Sequence, residues 1–334
     1  MADPRFLLVR LGSLGDIIHT LPAAAALRDT FPASAIDWVI ESRWSRLLEG
    51  NRDLNEVIVL DRAAVGGVRA TIRKLRAANY TCAIDFQALY KSAFLAFASG
   101  APRRIGFQSS YAREGLAALA YTDRLNPRGP HKVDHNLTLV EAAGARRTPP
   151  RFPLAIHLED EDHVTREFAS HSVKEFFVLN PGGGWRSKCW PAERYGELHR
   201  KLADRYSWQG IVTFGPGEDD LARQVIGAAG NPPPIALPLD LGPLMALLRR
   251  AKFVVSADTG PLHLASALGA PVVGLFGPTD PARNGPYSSE DVVVRNPRAS
   301  ETTYRRGASY SLAMLSITVD QVVDAVERRL RHRT

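Results

Sequence analysis

The 334-residue sequence predicts an α/β protein built from two Rossmann-like, doubly wound parallel-sheet domains. Three observations carry that prediction. Short apolar, β-like runs alternate with helical patterns along the chain. The alternation breaks once, at a proline-rich segment, and then resumes. The length is also about twice that of an ordinary domain.

In the first half, Phe6–Val9, Ile36–Ile40, Val57–Leu60 and Cys82–Phe86 read as strands. Ala23–Thr30, Val68–Ala78 and Lys91–Ser99 read as the helices between them. Such β-α-β alternation implies a mostly parallel sheet covered on both faces. The break is Thr148-Pro149-Pro150-Arg151-Phe152-Pro153, where proline removes donors and restricts its neighbours. Beyond it, Phe176–Leu179, Gly210–Phe214, Phe253–Ser256 and Pro271–Phe276 read as buried parallel strands. A last helix is expected over Val319–Arg331, with Val319, Val322, Val323, Val326 and Leu330 on one face. The expected domains are therefore 1–150 and 151–318, facing a central cleft. In such sheets ligands sit at the carboxyl ends of strands.

Composition narrows the class. Hydrophobic residues make up 45% and charged residues 23%, as in an ordinary soluble enzyme. No apolar run reaches the roughly 18 residues needed to cross a bilayer. Phe6–Val9 is too short for the core of a signal peptide, so a cytoplasmic location is expected. Cys82 and Cys189 form no C-x-x-C pair, which suggests neither a zinc site nor a disulfide framework. Of the net charge of +7, residues 1–150 hold +6. The first half is thus the half that attracts a polyanion. Nucleic acid is not indicated, because zinc-finger spacing, an RNA-recognition signature and aromatic-basic interleaving are all missing from the sequence.

The strand-end loops carry the chemistry. The first is Arg10-Leu11-Gly12-Ser13-Leu14-Gly15-Asp16, running into a helix at Ile17, Ile18 and Leu21. Gly12 and Gly15 allow tight backbone turns. Asp16 near a helix start is either a cap favoured by the dipole or a general base. The glycine spacing is neither that of a dinucleotide fingerprint nor that of a P-loop. The second loop runs from Asn180 to Pro191. Gly183 and Gly184 let backbone amides approach a ligand, and Lys188 can neutralise phosphate. A plain surface loop is the alternative.

The third loop is Ser256-Ala257-Asp258-Thr259-Gly260-Pro261-Leu262-His263. Thr259 suits a cap and Pro261 an early helical position. The amides of Thr259, Gly260 and Leu262 would then form an anion site suited to a pyrophosphate. His263 taken alone reads as a core histidine. Glu218, after Phe214-Gly215-Pro216-Gly217, is either a solvated glutamate or an acceptor for ribose hydroxyls. Phe276-Gly277-Pro278-Thr279-Asp280-Pro281 is a further turn on the same rim.

Together these residues resemble a known family. Arg10 through Pro22, with Asp258-Thr259-Gly260-Pro261-Leu262-His263-Leu264-Ala265, is similar to the lipopolysaccharide heptosyltransferases of glycosyltransferase family nine. Trp185–Pro191, Phe276–Pro281, Asp85–Ser92 and Arg103–Phe107 are similar too, and motif order is kept over nearly the whole chain. Within the family the pattern is most like heptosyltransferase I. It departs from relatives at Arg10, at Gly183 and Gly184, and in the absence of cysteines over Glu301–Tyr310.

The resemblance implies the GT-B arrangement, with the acceptor held by the N-terminal domain and the nucleotide sugar by the C-terminal domain. It also implies that the last helix packs back on the N-terminal domain. The implied reaction inverts the anomeric carbon, with no obligatory metal and no cofactor. Asp16 would be the base. Lys188 and the Asp258–Gly260 segment would hold the phosphates of ADP-heptose. The acceptor would be Kdo-lipid A, which brings the enzyme to the inner face of the inner membrane. Acceptor candidates are Arg10, Gly15, Arg62, Lys91, Arg103 and Arg104, since arginine forks suit carboxylate and phosphate. A further basic group, Arg69, Arg73 and Lys74, reads as a solvated helix face. The rivals are a relative with another sugar, a nucleotide-sugar epimerase of the same fold, and a binding protein without turnover.

Overall fold

The computed structural model describes residues 3–331, except 62, 63, 65, 298–301 and 304–306. The chain divides into two units, the first ending at Ala155 and the second beginning at Ile156.

The first unit runs β1 (Arg5–Val9), α1 (Leu14–Ile18), α2 (Leu21–Thr30), β2 (Ala35–Glu41), β3 (Glu56–Leu60), α3 (Gly67–Ala77), β4 (Cys82–Asp85), α4 (Tyr90–Ala98), β5 (Arg103–Phe107), β6 (Asp123–Leu125) and α5 (Lys132–Ala142). Its sheet is parallel throughout, in the order β3-β2-β1-β4-β5-β6. Leu7, Val9, Val39, Ile58 and Ala83 from the strands meet Leu75 and Leu95 from the helices in one core. The central strands β1, β2 and β4 are buried on both faces, which explains why they read as nearly continuous apolar runs rather than alternating ones.

The second unit runs α6 (Leu158–Ser170), β7 (Phe176–Asn180), α7 (Ala192–Tyr206), β8 (Gln209–Phe214), α8 (Asp219–Ala229), β9 (Ile235–Pro238), α9 (Leu241–Arg250), β10 (Val254–Ala257), α10 (Gly260–Ala267), β11 (Val272–Leu275), α11 (Pro281–Asn284), β12 (Val292–Val294), α12 (Leu312–Leu315) and α13 (Val319–Arg331). Its sheet order, β12-β11-β10-β7-β8-β9, repeats the topology of the first. In each unit the first and fourth strands lie side by side at the centre.

Two expectations change. Residues 151–153 belong with the first unit. The Arg151 guanidinium bonds Asp53 at 2.7 Å and Asp29 at 2.6 Å, and the Asn51 amide donates to the Pro153 carbonyl at 3.1 Å. The unit boundary therefore falls after Ala155 rather than after Pro150. The last helix, α13, buries its apolar face in the second unit. Val319, Val322 and Val326 join the core formed by α7, β11 and β12. The buried Arg329 fastens that face to Asp291 at 3.0 Å. The valine stripe predicted the helix correctly, but a stripe alone does not say which sheet it covers.

Candidate active site

The switch point of each sheet lies between its two central strands, and the loops leaving them part there. In the first unit these loops follow β1 and β4. The Arg10 guanidinium donates to the Phe86 carbonyl and pairs with Asp16 at 2.7 Å. The Gln87 side chain accepts from the Leu11 amide at 2.8 Å, so the β4 loop holds the β1 loop in place. Trp38 adds a bond from its indole to the Arg10 carbonyl at 3.0 Å.

Asp16 is the third residue of α1, and Ser13 is the cap. Its carboxylate accepts from the Ser13 hydroxyl at 3.0 Å and takes Lys132, the first residue of α5, at 2.7 Å. Asn136, one turn further along α5, donates to the His19 carbonyl and the Thr20 hydroxyl. Thr20 in turn donates to the Asp16 carbonyl at 2.8 Å. The rings of His19 and His131 meet edge to face at 5.2 Å. Burial works to raise the Asp16 carboxyl, but Arg10 and Lys132 outweigh it and hold the group well below the usual carboxylate range. Asp16 is therefore anionic and clasped by two cations, which is far more than a helix cap needs. Gly15 sits half-buried beside it in α1.

The other basic candidates are placed differently. Arg62 lies outside the described residues. Lys91, in the first turn of α4, is paired with Glu41 at 2.7 Å. Arg103 and Arg104 begin β5 rather than follow a strand. Their partners in register are Cys82 and Ala83, at the amino end of β4. They therefore stand at the end of the sheet opposite Asp16, which corrects the expectation that they share a site with it. Arg104 donates to the Ala120 and Ala101 carbonyls, and Arg103 pairs with Asp123 at 3.1 Å.

In the second unit the switch-point loops follow β7 and β10. Asn180 ends β7; its side-chain amide donates through Nδ2 to the Thr213 carbonyl and accepts at Oδ1 from the Ser256 hydroxyl at 3.3 Å. One buried amide thus ties three strand ends together. Asp258 takes Lys188 at 2.5 Å on one oxygen and the His263 imidazole at 3.2 Å on the other. Burial again pushes this carboxyl upward, and the bonds from His263 and Lys188 hold it well below its ordinary value. The Lys188 ammonium also donates to the Asp258 carbonyl and lies 4.4 Å over the Trp185 ring. A third donor remains for an incoming anion.

Thr259 caps α10, and the amides of Gly260 and Leu262 belong to its first turn, where N–H groups lack helical partners. Leu262 itself is core; only its backbone can serve a ligand. Glu218 accepts from the Gly215 amide at 2.8 Å and the Gly183 amide at 3.3 Å, with lone pairs left over for a hydroxyl. A Cβ on Gly182 would collide with that carboxylate, whereas Gly184 has open space around it. Gly183, Arg186, Cys189, Gly217 and Glu218 line a cavity of about 240 Å3. The second loop therefore partly encloses a pocket.

The sequence matches the profile of Glycosyltransferase family 9 (heptosyltransferase) over residues 68–313. The chain belongs to this family. It is a glycosyltransferase with the GT-B fold, not an epimerase or a passive binder. It is 31% identical to lipopolysaccharide heptosyltransferase 1 of Pseudomonas aeruginosa, covering 86% of this chain and 82% of that one. It is 26% identical to lipopolysaccharide heptosyltransferase 2 of Escherichia coli K12, covering 95% and 96%. It superposes on the E. coli heptosyltransferase WaaC with ADP at a TM-score of 0.78, with 27% identity and coverage of 97% and 99%. Among the described residues, no helix of this family member is long and apolar enough to cross a membrane.

Four site residues escaped the sequence reading: Lys132, Gln87, Asn136 and Asn180. Lys132 stands 116 residues from Asp16, and Gln87 stands 76 from Leu11, so only the folded sheet joins them. Gln87 lies inside a motif segment and could have been singled out there. Lys132 had no such signal.

Proposed function

We propose that this enzyme transfers heptose from ADP-heptose to a Kdo sugar of the lipopolysaccharide inner core, with inversion. The observation that carries the reading is the Asp16 carboxylate clasped between Arg10 and Lys132. An acceptor hydroxyl is a poor nucleophile, and a carboxylate positioned to take its proton speeds attack by about 10²–10⁴-fold. While both cations grip Asp16, it is a weak base. A Kdo carboxylate arriving at Arg10 and Lys132 competes for those cations and restores basicity to Asp16 as the acceptor docks. An acceptor with its own carboxylate therefore suits this site better than a neutral sugar.

The acceptor oxygen then bonds to C1 of the heptose, the bond from C1 to the diphosphate oxygen breaks, and the proton goes to Asp16. Charge grows on the departing ADP. Lys188 and the first-turn amides of α10 stabilise it, the usual large electrostatic contribution. Glu218 receives the ribose hydroxyls. The name and bound ADP of the WaaC structure support ADP as the nucleotide. A lipid-borne acceptor brings the enzyme to the cytoplasmic face of the membrane as a peripheral protein.

The test is product formation from ADP-heptose with three acceptors: Kdo-lipid A, the heptosylated core, and a neutral glycolipid. Transfer to Kdo-lipid A alone supports the reading. Preference for the heptosylated core would move the acceptor one sugar outward, and equal use of the neutral lipid would overturn the role given to Arg10 and Lys132.

A further inference from the structure

The first unit carries an apolar face that none of its chemistry uses. Helix α4 buries Ser92, Ala93, Leu95 and Ala96, and turns Tyr90, Phe94 and Phe97 outward. Those three positions, spaced four and three apart, share one side of a helix. The 3₁₀ segment Gly115–Ala120 packs against α4 and repeats the pattern. Residues three apart eclipse in a 3₁₀ turn, so Leu116 and Leu119 share its outer side. Ala117 and Ala118 face inward and join Ala93 and Tyr121 in a small core. The five outward side chains are each 52–70% exposed.

This arrangement inverts ordinary amphipathicity. Apart from Leu95, the packed side is made of small residues, and Tyr90, Phe94, Phe97, Leu116 and Leu119 are given to solvent. Scattered exposed apolar residues are normal, but a contiguous cluster marks a contact surface. Arg104 binds the two elements together by donating to the Ala120 carbonyl at 2.7 Å, with its guanidinium 5.6 Å over the Phe97 ring.

Charge selects the occupant. Residues 90–125 carry Lys91, Arg103, Arg104, Arg113 and Arg124 against Glu114 and Asp123, and Lys91 is further paired with Glu41, so the basic excess rests on the arginines. A second copy of the chain would set this basic rim against itself. An anionic lipid surface would accept both parts: acyl chains for the rings and leucines, and headgroup phosphates for the arginines. Direction agrees as well. Tyr90 directly follows the Phe86–Leu89 loop, whose Gln87 holds the backbone beside Arg10. The apolar face thus begins where the Asp16 loop is anchored.

We propose that the α4 face, with Leu116 and Leu119, is a docking surface that inserts shallowly into an anionic bilayer. The binding goes beyond the transfer reaction and does not depend on which sugar is moved. The test is flotation of the full-length enzyme with vesicles of phosphatidylcholine alone or with added phosphatidylglycerol. The wild-type protein should float with the anionic vesicles, less so in high salt, and not with phosphatidylcholine alone. Phe94→Ser/Phe97→Ser/Leu116→Ser/Leu119→Ser should weaken that binding by at least about tenfold. It should also lose turnover on vesicle-embedded acceptor while keeping turnover on a deacylated, water-soluble acceptor. If that variant misfolds by circular dichroism, Leu116→Gln/Leu119→Gln carries the same comparison with less perturbation. Unchanged flotation of the folded variants, or no flotation of the wild type, overturns the proposal. So does light scattering that finds a wild-type dimer and a monomeric variant. If every enzyme variant fails on all acceptors while flotation behaves as expected, the transfer reading is at fault and the docking surface stands.

Discussion

The two units fold the same sheet in the same order, and each sets an ion-paired carboxylate in the chain leaving a central strand, yet they treat that carboxylate differently. Asp258 in the second unit is closed off, with 5% of its side chain exposed, and is shared between Lys188 and His263. Asp16 in the first unit is 17% exposed and held by two full cations. The closed carboxylate steers a lysine and an imidazole and has little left for a substrate. The open one remains reachable, and its partners are the cations an anionic acceptor would seek. Asp16 follows the first strand of its sheet and Asp258 the fourth of its own, so the shared topology brings a carboxylate to the switch point by two different loops, and the neighbours set how open each one is.

The comparison can be broken by exchanging acid for amide. Asp16→Asn should lower kcat by about 10²–10⁴-fold and leave the ADP dissociation constant unchanged. If Asp258→Asn costs as much turnover as Asp16→Asn at saturating donor, the division of roles is wrong.

A second contrast is in acid stability. His199 of α7 is buried against Phe177, and among the described residues neither ring nitrogen meets a partner. Burial pushes this imidazole down to about 4 from an ordinary 6.5. The folded second unit keeps it neutral while the unfolded chain takes up a proton. Stability should therefore be full above about pH 6.5, fall as the pH drops towards 4, and level off below that, a loss of up to about 3 kcal/mol. Urea melts monitored at the second-unit Trp190 check this, and His199→Phe should flatten that part of the curve.

Lys188→Ala should weaken ADP binding by roughly tenfold or more, since one charge-assisted contact contributes about 1.5–3 kcal/mol. Calorimetry returning an unchanged constant would remove Lys188 from the phosphate site. Arg104→Ala should lower stability by about 1–2 kcal/mol through its lost backbone bonds and leave the KM for a soluble acceptor alone. A raised soluble-acceptor KM would restore the role its sequence position first suggested. The smallest effect sharpens the comparison most. Lys132→Met removes one of the cations that depress Asp16, so the acidic limb of the kcat/KM profile should move to higher pH. A limb that stays in place would mean another group sets it.

How much of this was legible in the sequence follows from distance along the chain. Local features could be read: the apolar strands, the Arg10–Asp16 loop, and the Asp258-Thr259-Gly260 turn with Lys188. His263 could be read only ambiguously, because its pairing with Asp258 becomes visible once the first turn of α10 is built. Lys132 could not be read, because nothing at residues 131–132 points to a partner more than a hundred residues earlier. Arg103 and Arg104 could be named as candidates by their chemistry but not placed, because a strand's start and its end look alike in composition. Only the register with Cys82 and Ala83 shows which end they occupy. Arg151 sits in a segment that proline content marks as a linker, and its bonds to Asp29 and Asp53 extend the first unit past it.

The place of α13 has a consequence for biosynthesis. The first unit has every strand and helix it needs once Ala155 has been made. The second cannot close its core until Val319, Val322 and Val326 arrive, more than 160 residues after Ala155. At about 5–20 residues per second, the first unit has roughly 10–35 s to fold alone before its neighbour is complete. A nascent chain stalled shortly before residue 319 would therefore hold a finished first unit and a second sheet with one flank still bare, and a chaperone acting on this protein would find its substrate there.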